Sequence, residues 1–218
     1  MKKIILLAFI TLMISTSTQA QNLSLFTRGN LSIGSQYHDL DYFGNTLLFS
    51  GGGGMGLEIG AQIDIVQKLK ANISLGYQLN LAFTGESVND VTTTSSAIFG
   101  RSFIGLGLIN EFELSHRTIT HLLLGVGFQY NSPSRLRITE NNVDLGSTSY
   151  QPALGTYIEG GFSLKLSDNL TLDPTIRYRS LSFEIEDYNF TAQHLMNADF
   201  LNYNANGVEL ALTLVRSF

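Results

Sequence analysis

From Leu23 onward the apolar residues of this chain keep to alternate positions, segment after segment. That period of two belongs to strands with two unlike faces and not to helices. Met55, Leu57, Ile59, Ala61, Ile63 and Ile65 alternate with Gly56, Glu58, Gly60, Gln62 and Asp64. Ile73, Leu75, Tyr77, Leu79, Leu81 and Phe83 oppose Asn72, Ser74, Gly76, Gln78 and Asn80 in the same way. Leu23, Leu25, Leu31 and Ile33 stand against Ser24, Arg28, Asn30 and Ser32, and Leu122 to Tyr130 against His121, Gly125, Gly127 and Gln129. Leu154 to Leu166 faces away from Tyr157, Glu159, Ser163 and Lys165, and Leu170, Leu172, Ile176 and Tyr178 from Asp173, Thr175, Arg177 and Arg179. The segment around Ile104, Leu106, Leu108, Phe112 and Leu114 sets Glu111 and Glu113 on its other face. It slips once, with Ile109 on the polar parity and Asn110 on the apolar one, which predicts a bulge. Pro174 predicts a second bulge, because it cannot donate to a ladder. With Leu210 to Phe218 the segments number eight.

An even number of two-faced strands can close on itself and leave no edge. The links near residues 67–70, 115–118 and 167–169 are short, whereas 38–53, 85–97, 131–149 and 182–205 are long and read as polar loops. Short and long links alternate, as up-and-down connectivity requires, and this puts both chain ends on the short-link side. Tyr37, Phe83, Tyr130, Tyr150 and Tyr178 fall on the apolar parity at the long-link end, as an interfacial aromatic girdle would. Charged residues make up 14% of the chain, well below the roughly 25% of soluble domains, and Gly reaches 21 residues against 3 Pro. Few charges and many glycines suit an eight-stranded antiparallel up-and-down transmembrane β-barrel, with lipid outside and a filled lumen within. The net charge of −5 argues against a nucleic-acid partner, and the absence of Cys removes disulfides and thiolate metal sites.

The two ends of the chain carry addresses. Lys2 and Lys3 precede an apolar run from Ile4 to Ile14 and a small polar stretch ending at Ala20, which predicts a signal peptide over 1–20 and a mature domain over 21–218. The apolar run is shorter than the about 20 residues of a membrane-spanning helix. Leu210 to Phe218 resembles the C-terminal assembly signal of bacterial outer-membrane barrels, whose last strand closes the barrel and ends on Phe, here Phe218. The whole of 21–218 is similar to the small outer-membrane β-barrel domains of Gram-negative bacteria, the OmpA and OmpW type. The resemblance implies a cell outer membrane location with periplasmic termini, lipid and lipopolysaccharide around the barrel, and the barrel assembly machinery as partner during insertion. The chain departs from the OmpA pattern in that no peptidoglycan-binding domain follows the last strand, so a cell-wall tether is not implied.

The inward parity collects Glu58, Asp64, Glu111, Glu113, Glu159, Asp173 and Glu209 with Arg28, Lys165, Arg177 and Arg179. So many charges in a lumen only wide enough for side chains must pair, which predicts a structural polar network built on Glu58, Glu111, Glu113, Glu159, Asp173, Arg177, Arg179 and Glu209. The expected role is structural or surface interaction through the long loops, whose ligand the sequence does not name. A narrow channel or a carrier of hydrophobic solutes is the alternative, and a loop-sited lipid-modifying enzyme or protease a third. No enzyme, cofactor or metal is expected: His38 and His194 fall in loops, His116 and His121 flank a short link, and no His-x-Ser pair occurs. Gly51 to Gly54 reads as a flexible loop, because no helix follows for a phosphate to cap. Glu140 to Asp144 has oxygens for Ca²⁺ but not the spacing of an EF-hand.

Overall fold

A computed structural model describes residues 23–42, 45–88, 91–114, 116, 118–190 and 202–218. The strands are β1 (Leu23–Gly34), β2 (His38–Tyr42), β3 (Asn45–Phe49), β4 (Gly54–Val66), β5 (Leu69–Val88), β6 (Val91–Glu113) and β7 (Ile119–Pro133). They continue as β8 (Leu136–Glu140), β9 (Val143–Tyr150), β10 (Ala153–Ser167), β11 (Leu170–Ser180), β12 (Ser182–Phe190), β13 (Asn202–Asn204) and β14 (Gly207–Ser217). The expected signal peptide lies outside the described residues.

Eight of these strands close a ring in the order β6, β5, β4, β1, β14, β11, β10, β7 and back to β6, each antiparallel to its neighbours. The last strand closes on the first, with Leu31 opposite Leu210 and Leu25 opposite Arg216, so the ladder has no free edge. Parity sets the faces. Along β1 burial strictly alternates, and Leu31 and Leu57 are 65% and 70% exposed while Arg28 and Glu58 are both 3% exposed. In water an apolar surface around the whole ring would drive aggregation; in lipid it is the lower-energy face.

Neither expected bulge forms. β6 pairs without a register shift with β5 and β7 through Ile109 and Asn110, so Ile109 turns inward, buried, and Asn110 turns outward. Leu123, also inward and buried, shows why an apolar side chain suits that depth. Pro174 interrupts the β10 ladder, yet Gly161 to Thr175 and Leu164 to Leu172 keep one register on either side of it. The irregularities lie beside the tight turns instead, at Asp64/Val66, Ser163/Leu164 and Lys165/Ser167.

At the other end the expected polar loops are largely strand. β5 and β6 continue together to Val88 and Val91, and β6 exchanges β7 for β8 as partner, pairing Ser95–Ile98 with Arg137–Glu140. β8, β9, β12 and β13 extend that sheet, while β2 and β3 form a separate hairpin. The β8–β9 turn places Asn141 and Asn142 at positive φ, 46° and 65°, the conformation a tight hairpin demands and Asn tolerates. Inside this extension Phe49, Phe99, Leu136, Ile138, Tyr150, Leu181, Phe183 and Tyr203 pack into a buried cluster. Tyr150 is therefore not part of a lipid-facing girdle. It is 3% exposed and stacks on Tyr203 at 5.1 Å, whereas Tyr37, Phe83, Tyr130 and Tyr178 are exposed.

Candidate functional site

The lumen is filled in two ways, by aromatic rings laid on glycines and by charges drawn to its axis. Phe26 lies over Gly60 of β4 and Phe103 over Gly76 of β5, while Tyr157 covers Gly107 and Gly127. Only a residue without Cβ leaves room for a ring on the neighbouring strand. Arg177 stacks above the Tyr157 ring with its guanidinium carbon 4.1 Å from the centroid, so the aromatic layer also supports the charged one.

Above those rings the charges form one connected layer. Arg177 reaches Glu159 Oε2 from Nη2 at 2.9 Å and from Nε at 3.1 Å, and Glu58 Oε2 from Nη1 at 3.2 Å. Arg28 donates to the same Glu159 oxygen at 3.1 Å and to Thr213 Oγ1 at 2.8 Å, with Glu58 at 3.6 Å. Glu209 faces Arg177 at 3.7 Å through Oε2; its Oε1 pairs with Arg179 and lies 3.7 Å from Arg101. Arg101 continues the chain to Asn131 Oδ1 at 2.6 Å and to Gln78, and Gln78 to Ser32 and to the Gly53 carbonyl at 2.8 Å. These residues come from all eight strands of the ring. The charged side chains of the layer are 1–4% exposed, so it works as a transverse plug in which almost every charge meets an opposite one.

The expected site residues divide by depth. Glu58, Glu159, Arg177, Arg179 and Glu209 meet in the plug. Asp173 is buried nearer the tight turns and accepts from Ser163 Oγ at 2.8 Å, apart from the plug. Glu111 stays near the mouth, paired with Lys70 at 2.7 Å, and Glu113 is exposed at the end of β6 opposite His121. Lys165 pairs with Asp168 at 2.8 Å in the exposed β10–β11 turn rather than in the lumen. Phe218 lies on the outside, 66% exposed, with its N–H donating to the Leu23 carbonyl at 3.1 Å and the Arg216 guanidinium 5.3 Å from its ring.

Arg101, Asn131 and Gln78 deepen the plug. Arg101 lies ahead of the clear alternation that starts at Ile104, and only its shared parity with Phe103 and Gly105 marks it as inward. Gly51 to Gly53 are buried rather than a flexible loop: Gly52 packs on the Asn206 backbone, Gly51 on the Tyr203 ring, and their carbonyl side receives Arg179 at 3.2 Å. Gly54 has φ +111°, which a side chain rarely adopts.

Catalytic and metal-binding geometry does not assemble among the described residues. His116 is exposed, with Nδ1 accepting from the Thr118 and Ile119 amides at 3.3 Å, and His121 contacts Thr120 Oγ1 at 3.0 Å. The side chain of His38, and His194 altogether, lie outside the described residues. Asn141 is spent on the Thr94 amide at 2.9 Å and Asp144 on the Gly146 amide at 3.0 Å, which makes Glu140 to Asp144 a hairpin turn. No cluster able to hold a metal ion occurs among the described residues.

No family model matches the chain, and no curated protein matches it. Solved structures do. The outer membrane protein OprG of Pseudomonas aeruginosa aligns over 91% of this chain and 96% of its own, with a TM-score of 0.56 at 10% identity. Neisserial surface protein A aligns over 91% of this chain and 97% of its own, with a TM-score of 0.50 at 16% identity. The fold is that of the small outer-membrane β-barrels, a closed eight-stranded antiparallel ring.

Proposed function

We propose that this protein is a sealed, rigid outer-membrane barrel that serves as a mount for its hairpin end, which meets ligands outside the cell. The observation that carries the reading is the plug: charged and amide side chains from every strand of the ring join across the lumen, and the aromatic cluster lies beyond it. A solute would have to break buried ion pairs and then part packed aromatic side chains, which is too costly for passive passage. The short-turn end, with both chain ends, then faces the periplasm. Export by the signal peptide over 1–20, insertion by the barrel assembly machinery with Phe218 in its signal, and lipopolysaccharide around the hairpin-end rim complete the reading.

Planar-bilayer recordings of the refolded protein test it. Silence across the voltage range is expected, and reproducible single-channel steps would replace this reading with the narrow channel.

A further inference from the structure

The plug is not evenly balanced along its length. Arg28 and Arg177 face Glu58 and Glu159, two charges against two. One layer toward the hairpin end, Arg101 and Arg179 converge on a single oxygen, Oε1 of Glu209. Their other acceptors are neutral: Asn131 and Gln78 for Arg101, the Gly52 carbonyl for Arg179. Among the described residues one positive charge is thus left uncompensated in a place where both guanidiniums are at most 1% exposed. Arginine cannot discharge it by losing a proton. The Nε atoms of both Arg101 and Arg179 are also buried without a hydrogen-bond acceptor among the described residues. Spare donors and a spare positive charge in the same place are what an anion requires.

We propose that Arg101 and Arg179 bind a small inorganic anion of the size of chloride. The surroundings set the size. Both guanidiniums are at most 1% exposed and already held by Asn131, Gln78, Glu209 and the Gly52 carbonyl, which leaves only the two Nε donors for a compact ion. The anion completes the plug as a third partner for the pair of guanidiniums, and Glu209 keeps it from neutralising both alone.

Protein refolded in lipid is unfolded with urea in sodium chloride and in sodium gluconate at equal ionic strength. The midpoint is expected to be higher in chloride and to climb with its concentration, as binding to the folded state requires. In R101Q, where Arg179 and Glu209 balance, the difference between the salts is expected to vanish. Crystals of the unmodified protein grown in bromide give an independent readout, an anomalous peak within hydrogen-bond reach of both Nε atoms. Equal midpoints of the unmodified protein in the two salts overturn the proposal, as does a salt difference that persists in R101Q. So does a bromide derivative with no peak between Arg101 and Arg179.

Discussion

Arg177 is the most connected side chain of the lumen, with contacts to Glu58, Glu159 and Glu209 from three other strands. Arg177→Met removes a cation and leaves buried carboxylates with too few partners, which costs about 3–5 kcal/mol. Urea unfolding in lipid vesicles measures that loss, and Lys165→Met, which opens only the exposed pair with Asp168, is expected to leave the midpoint where it was. Gly76→Ala tests the ring-on-glycine packing, since a methyl group there enters the Phe103 ring; about 1–3 kcal/mol is expected from overpacking in the same assay. At this scale parity made Glu58, Glu159, Arg177, Arg179 and Glu209 legible as inward. What parity does not carry is depth: Glu113 has the inward parity but sits where β6 has run past the lumen, and Lys165 lies beside a turn.

Strands β4 and β9 show that exposure means different things in different places. Leu57 on β4 and Val143 on β9 are 70% and 62% exposed, but one faces the lipid belt and the other the hairpin end. Leu57→Arg is expected to cost about 2–4 kcal/mol in lipid. Val143→Arg is expected to stay within about 0.5 kcal/mol, since a surface charge there meets water. Similar losses for the two in vesicle unfolding titrations would remove the membrane from the explanation. The ring strands were legible because each has lipid on one side and lumen on the other, so that alternation repeats for about ten residues. β8, β9, β12 and β13 are short and interrupted by turns, and their buried faces look into a core assembled from four separate hairpins. Phe99, Leu136, Tyr150, Phe183 and Tyr203 are too scattered in the chain to announce that they meet.

At the scale of the whole molecule the described residues form two buried layers, a charged plug and an aromatic cap, and the two respond to different conditions. Burial pushes the phenols of Tyr150 and Tyr203 well above their ordinary range. Both groups are neutral when folded, so their contribution to cap stability is complete below about pH 10, where the unfolded phenols are neutral too. It is lost as pH rises above that and through the raised folded values. Among the described tyrosines, a tyrosinate absorbance titration is therefore expected to leave three phenols silent after the exposed ones have ionised, the cap pair and the lumen residue Tyr157, which is 5% exposed, and to release the cap pair together in a late step as the cap opens. Tyr203→Phe is expected to reduce the late step to one phenol.

The most direct test of a sealed lumen uses the absence of native cysteine. Single cysteines at Thr213 in the plug, Leu212 on the lipid face and Val143 in the hairpin end are treated with a small, charged thiol reagent in intact vesicles. Thr213 is 1% exposed and bonded to Arg28, so T213C is expected to remain unlabelled, like L212C, while V143C reacts at once. Labelling of T213C at the rate of V143C would mean that water and ions reach the middle of the barrel, and the sealed lumen would be wrong.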